Sequence, residues 1–98
     1  MGTIRAMKIE PNKPITIIDV KNKLIALQLQ VGGYIETVPL GEDSVMIVDE
    51  EGMLKQYKRN ELASYISGTH IYGTALIVGV DGEEFTDCPE QFFVWLGQ

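Results

Sequence analysis

A β-hairpin is the feature that most constrains how this chain can fold. Residues 34–38 and 45–48 are rich in apolar and β-branched residues and predict two half-buried strands, and residues 41–44 supply a turn between them. Gly32 and Gly33 come directly before the first strand and predict the end of a helix, because glycine adopts the left-handed C-cap conformation without steric cost. The sequence therefore predicts a helix followed at once by two antiparallel strands.

The segment before the hairpin is predicted to contain one strand, a turn and the helix. Residues 6–9 read as a strand that stops at the two prolines of residues 11–14, since proline cannot donate to a strand ladder. Residues 15–18 are expected to resume the strand. A helix is then predicted over residues 20–31, with Asp19 as its N-cap.

The segment after the hairpin is predicted to hold a short helix over residues 60–67 and a long β-prone run over residues 70–80. Glycines at 73 and 79 within that run indicate a bulge or a close approach by another backbone. A turn at residues 81–82 leads to a brief strand over residues 83–85. Residues 87–90 have the form of a capping box and predict a terminal helix bearing Phe92, Phe93, Trp95 and Leu96.

These elements predict an α+β fold in which a mostly antiparallel sheet packs against two or three helices. A chain of 98 residues with 45% hydrophobic content matches one compact domain over residues 1–98, in which residues 1–6 are a candidate flexible tail. The apolar positions expected to form the core are Leu24, Leu27, Ile35, Ile47, Ala75 and Ile77.

The net charge of −6 argues against binding to duplex nucleic acid or to anionic membranes, because both need a cationic surface. The apolar runs are too short to span a bilayer, and no signal-peptide pattern follows Met1. Cys88 is the only cysteine, which suits a reducing compartment. A cytoplasmic location is therefore expected.

The sequence carries no constellation of residues that predicts catalysis, a metal site or a cofactor. His70 is the only histidine and has no second metal ligand near it, and Cys88 would need His70 as its base. The carboxylates of residues 49–51 and 81–84 would form a cation site only if the two turns meet in space; solvated turns are the simpler interpretation. We expect a protein that is not an enzyme and needs no cofactor.

One basic and aromatic segment stands out in the acidic chain and is the predicted ligand site. It holds three of the eight cations within five positions, together with a ring and an amide: Lys55, Tyr57, Lys58, Arg59 and Asn60. Cations bind phosphate or carboxylate groups, a tyrosine ring can stack on a base, and asparagine can read an edge or cap a helix. The alternative is a solvated loop before a helix cap. If the segment is not the site, the strand around Gly73 and Thr74 is the second choice, because glycine leaves room against the backbone.

The chain also resembles a small domain family of unknown function that is found in phages, prophages and mobile elements of Gram-positive bacteria. The resemblance covers about residues 7–86 and rests on the segments 32–36, 49–52, 73–75 and 78–85, with Val38, Leu40 and Asn60. It implies no established activity and no catalytic residues. It does imply a host bacterial cytoplasm as the location if the gene is carried by a phage.

Two functions are compatible with these observations. The first is a module that binds a small anionic ligand and sequesters it without altering it; by analogy with phage proteins, the expected ligand is a nucleotide signal of bacterial antiphage immunity. The second is a module that inhibits or adapts a host protein through its acidic surface. Either would be a homo-oligomer, most simply a dimer, if the aromatic residues of the terminal helix form an interface.

Overall fold

A computed structural model describes residues 2–97 as an α+β domain with one antiparallel sheet and helices on both of its faces. The elements in chain order are β1 (Thr3–Ile9), β2 (Thr16–Lys21), α1 (Leu24–Val31), β3 (Ile35–Pro39), β4 (Ser44–Asp49), α2 (Glu61–Ser67), β5 (Ala75–Asp81), β6 (Glu84–Thr86) and a 3₁₀ helix (Glu90–Trp95). Five strands lie in the order β2-β1-β5-β4-β3, and β6 pairs with the far end of β5. The predicted fold class is confirmed.

The first strand begins earlier than the sequence predicted. β1 starts at Thr3 and pairs with β2 from Thr3 opposite Lys21 to Lys8 opposite Thr16, and both Ile4 and Ala6 are buried. Residues 3–6 therefore belong to the sheet and not to the flexible tail that the sequence suggested. Met1 lies outside the described residues.

The first helix begins later than predicted. Val20 lies in β2, buried opposite Ile4, so Asp19 does not cap a helix; α1 starts after Lys23, which is extended and makes no side-chain cap. The β-branched residues of this segment pair with β1 instead of entering the helix, in keeping with their preference for a pleated surface. Gly32 ends α1 in the left-handed conformation, with φ of 98°, as predicted.

The hairpin is confirmed with a defined register. β3 and β4 pair from Ile35 opposite Asp49 to Pro39 opposite Val45. β4 in turn pairs with β5, with Ser44 opposite Gly79 and Ile47 opposite Leu76. The hairpin therefore supplies two of the six strands, with β3 at one edge of the sheet.

The predicted β run over residues 70–80 is only partly a strand. β5 begins at Ala75, and residues 70–74 cross the end of the sheet with a single bridge between Arg59 and Tyr72. Gly73 has φ of 89°, which an extended strand does not allow. At Gly79 the predicted close approach is present, because a side chain there would collide with Thr86 and with the backbone of Asp87.

The predicted capping box at residues 87–90 is wrong. The Asp87 carboxylate accepts a hydrogen bond from the Arg5 backbone N–H at 2.8 Å, so it ties β1 to the C-terminal segment, and Pro89 precedes a 3₁₀ helix instead. The aromatic residues find partners within the chain. Phe92 is buried, and the Trp95 ring meets the Tyr65 ring edge-on at 5.7 Å. Tyr65 and Val94 are nevertheless exposed, so an interface at this helix stays a prediction.

The sheet separates two apolar clusters. α1 covers one face through Leu27 and Val31, and α2 with the 3₁₀ helix covers the other through Ala63 and Phe92. Of the predicted core residues, Leu27, Ile47, Ala75 and Ile77 are buried and Ile35 is half-buried, but Leu24 is 58% exposed. The prediction for Leu24 is wrong because α1 begins at this residue, and the residues spaced to face the sheet are Leu27 and Val31.

Candidate functional site

A cavity of about 390 Å³ opens where the C-terminal end of α1 meets the β1–β2 turn and the segment after β4. We call it the Tyr57 cavity. Its walls come from four separate parts of the chain: Glu10, Pro11, Lys13, Leu29, Gln30, Val31, Gly32, Tyr57, Lys58, Gly73 and Thr74. Four of the seven predicted site residues, namely Tyr57, Lys58, Gly73 and Thr74, are therefore brought together.

Tyr57 is fixed in place by two glycines. A Cβ atom on Gly73 would lie 2.5 Å from the Tyr57 ring carbon Cδ2, and one on Gly32 would lie 2.7 Å from its hydroxyl oxygen. Both glycines have positive φ, so the turns that carry them also favour glycine. The ring is packed against the backbone of Gly73 and forms a wall of the cavity.

Lysine side chains supply the positive charge of the cavity. Lys13 forms an ion pair with Glu10 at 3.7 Å, so its charge is partly balanced by a carboxylate on the same turn. Lys58 forms no ion pair with any residue that the structure describes. Lys58 is therefore the lining cation whose charge no described carboxylate balances.

Lys55 lies beside the cavity and is already engaged. Its ammonium group donates to the Asp49 carboxylate at 2.8 Å and to the Gly32 carbonyl at 3.1 Å, which ties the segment after β4 to the end of α1. Burial raises the pKa of Asp49, but hydrogen bonds from Lys55, from the Glu51 backbone and from Tyr57 outweigh it and hold this pKa below its usual value of 3.8. The hydrogen bond to Asp49 raises the pKa of Lys55. Lys55 therefore shapes the site without offering a free charge.

Lys55 also borders a second cavity of about 360 Å³ on the other side of Gly32. We call it the α1 groove, lined by Ile25, Gln28, Leu29, Gly32, Gly33, Tyr34, Glu51 and Lys55. Leu29 and Gly32 line both cavities, so the two are separated only by the end of α1.

Arg59 and Asn60 point away from the Tyr57 cavity. Arg59 donates to Glu61 at 3.1 Å, contacts the His70 ring, and borders a depression beside α2. Asn60 is buried; its amide group donates to the carbonyls of Ile9 and Gly73, and its side-chain oxygen caps α2 by accepting from Ala63. Of its two predicted roles, Asn60 therefore has the helix-capping one.

The sequence did not single out the residues that α1 and the β1–β2 turn contribute. Pro11, Leu29 and Val31 give the Tyr57 cavity its apolar walls. Gln30 adds a polar group: its side-chain oxygen is buried, and no donor among the described residues hydrogen-bonds to it. In the sequence, the position of Lys13 between Pro11 and Pro14 was the only indication that this turn could contribute to a site. The fold then brings the turn beside Lys58.

The model of one protein family matches residues 4–96, and its description is a domain of unknown function, DUF3846. The chain belongs to this family. The match extends beyond the residues 7–86 on which the resemblance rested, and it includes all the walls of the Tyr57 cavity. Neither the search of curated proteins nor that of solved structures gave a match to this DUF3846 chain.

The thiol of this DUF3846 domain is poorly suited to act as a nucleophile. Burial raises the pKa of Cys88 to about 11, so the thiol stays protonated near neutral pH. Its sulfur contacts the Pro89 carbonyl at 3.5 Å, whereas the His70 ring contacts Arg59. The Cys88–His70 pair considered from the sequence is not hydrogen-bonded within residues 2–97.

The two acidic turns do not meet. Because Ile47 lies opposite Leu76 and Ser44 opposite Gly79, Asp49 and Asp81 are at opposite ends of the β4–β5 pair. Across the part of the chain that the structure describes, no three His, Cys, Asp or Glu side chains are grouped to hold a metal ion. Over the same residues, no helix has the length and apolar character that crossing a membrane requires.

Proposed function

We propose that this DUF3846 domain binds a small anionic molecule in the Tyr57 cavity and does not transform it. The observation that carries the proposal is the position of Lys58: a cation without a carboxylate partner among the described residues lines a cavity that also has apolar walls. The volume falls at the lower end of the range for small-molecule sites, about 300 to 1,000 Å³.

The lining favours a ligand with one negatively charged group and a flat or apolar part. Lys58, with Lys13 nearby, would bind a phosphate or carboxylate, and Pro11, Leu29 and the Tyr57 ring would contact the apolar part. The buried oxygen of Gln30 would accept a hydrogen bond if its carboxamide turned toward the cavity. A nucleotide has all three features.

We further propose a setting for this activity. The resemblance to domains of phages and mobile elements of Gram-positive bacteria suggests that the ligand is a nucleotide signal of host immunity, which the protein would sequester in the bacterial cytoplasm. Sequestration needs a binding site and no catalytic group.

The test is retention of small molecules from a bacterial nucleotide extract. Purified protein is incubated with the extract, washed and denatured, and the released compounds are identified by mass spectrometry. Lys58→Ala should lose the retained compound, whereas Arg59→Ala, which changes the adjacent residue outside the cavity, should keep it. Equal retention by both variants, or no retained compound with the wild-type protein, would contradict the proposal.

A second candidate function is inhibition of a host protein through the acidic surface. It is favoured by exposed carboxylates at both ends of the sheet, including Glu50 and Glu51 at one end and Glu42, Asp43 and Asp81 at the other. A blank in the extract experiment, together with a host protein that co-purifies stoichiometrically and dissociates at high salt, would favour this function.

A further inference from the structure

The outer side of α1 exposes large aliphatic side chains, and the only polar residues of this helix are Gln28 and Gln30. The helix contains no charged residue, and while Leu27 and Val31 face the sheet, Leu24, Ile25 and Leu29 are 58%, 63% and 77% exposed. Clustered exposed apolar side chains usually mark an interface. Tyr34, also exposed, extends this surface along the α1 groove.

The two ends of this apolar surface carry opposite charges. Lys21 and Lys23 precede the N-terminus of α1 and are exposed. Glu51 lies in the α1 groove beside the C-terminal end, next to Glu50, and the carbonyl end of a helix adds partial negative charge there. Lys55 does little to cancel these acids, because Asp49 and the Gly32 carbonyl already hold its ammonium group.

We propose that the outer side of α1 is a two-fold interface between two copies of this chain, in which the two α1 helices pack antiparallel. A two-fold interface joins a surface to itself, so the surface must be self-complementary. An apolar centre with a basic end and an acidic end meets this condition. In the antiparallel arrangement Ile25 packs against Leu29 of the partner subunit, and Lys23 reaches Glu51 of the partner subunit.

The charge pattern favours a second copy over an unrelated partner. α1 has eight residues and is about 12 Å long. In an antiparallel pair, the basic N-terminal end of each α1 therefore lies against the acidic C-terminal end of the other, which gives two favourable charge contacts. In a parallel pair, like charges would lie together. The interface would also border the ligand site, because Leu29 lines both the α1 groove and the Tyr57 cavity.

The test is the oligomeric state over a range of protein concentration, measured without ligand by sedimentation velocity. The wild-type protein should form a dimer. The double variant Ile25→Lys, Leu29→Lys should be monomeric at every concentration, whereas Val94→Lys, which changes a residue that is 74% exposed in the 3₁₀ helix on the other face of the sheet, should dimerise as the wild type does. Circular dichroism confirms that each variant is folded.

Charge reversal tests the arrangement of the helices. Lys23→Glu alone and Glu51→Lys alone should each raise the dissociation constant of the dimer about tenfold, and the double reversal should restore it. The proposal would be overturned if the wild-type protein stayed monomeric at protein concentrations in the hundreds of micromolar, or if the Ile25→Lys, Leu29→Lys variant still formed the dimer. If the double-reversal dimer had a higher dissociation constant than the dimer of either single variant, the antiparallel packing would be overturned.

Discussion

The two faces of the sheet are covered to different extents. On one face α2 and the 3₁₀ helix enclose a cluster that includes Phe92 and Ala63, and the Tyr65 and Trp95 rings pack against each other. On the other face the eight-residue α1 buries Leu27 and Val31 but leaves large aliphatic side chains exposed, with a cavity on each side of its end. The two faces therefore differ in degree, since Tyr65 and Val94 are also exposed on the α2 side, and we propose the α1 side as the binding side.

The largest effect that tests this contrast comes from two leucines of α1. Leu27→Ala should lower the free energy of unfolding by about 2 to 5 kcal/mol, because Leu27 is 1% exposed and its removal leaves a cavity against the sheet. Leu29→Ala, on the same helix, should change the stability of the monomer by less than about 0.5 kcal/mol. Urea unfolding at low protein concentration measures both. Equal losses would mean that α1 is oriented differently.

The next effect concerns Asn60, whose side chain links the start of α2 to the end of β1 and to Gly73. Asn60→Ala should lower the free energy of unfolding by about 2 to 3 kcal/mol, because it removes the cap of α2 and leaves the buried carbonyls of Ile9 and Gly73 without a donor. Asn60→Ser keeps a capping oxygen and should recover part of the loss. Thermal unfolding of the two variants measures the difference, and a neutral Asn60→Ala would show that these hydrogen bonds do not stabilise the fold.

A smaller effect should appear in acid. The folded protein lowers the pKa of Asp49, so the stability that this carboxylate adds is present above its usual value of 3.8 and is lost as the pH falls through the folded value. Asp49→Asn should therefore be less stable than the wild type at neutral pH, and the gap should narrow in acid. Urea unfolding from neutral pH to strong acid measures this. Asp43→Asn, in the exposed β3–β4 turn, should lose as much stability in acid as the wild type does. A stability difference between Asp49→Asn and the wild type that does not depend on pH would contradict the lowered pKa of Asp49.

The local elements with strong turn signals were predicted from the sequence. The hairpin, the Gly32 helix end and the Asn60-capped helix all depend on residues close together in the chain. The errors at Asp19 and Asp87 have a common cause, since both aspartates precede residues that resemble a helix start but are held by β1. Pairing of Val20 with Ile4, and the Arg5 hydrogen bond to Asp87, are long-range contacts that no local pattern reports.

The residues that line the Tyr57 cavity were predicted in part for the same reason. Tyr57 and Lys58 were chosen for their chemistry, and the fold does place them on a cavity. Arg59 follows Lys58 directly, but its backbone bridges to Tyr72 and its side chain lies on the α2 side with Glu61. Lys13 and Gln30 are distant in sequence and enter the cavity only through the packing of α1 beside the β1–β2 turn.

The most direct test of the contrast between the two faces is a comparison of backbone amide chemical shifts, by nuclear magnetic resonance, before and after addition of the small-molecule fraction of a bacterial extract. We predict changes at Gly32, Lys58 and Thr74, which line the Tyr57 cavity on the α1 side. Tyr65 and Trp95, on the α2 side, should not change. Shifts confined to the α2 side, or none at all, would contradict the assignment of the α1 side as the binding side.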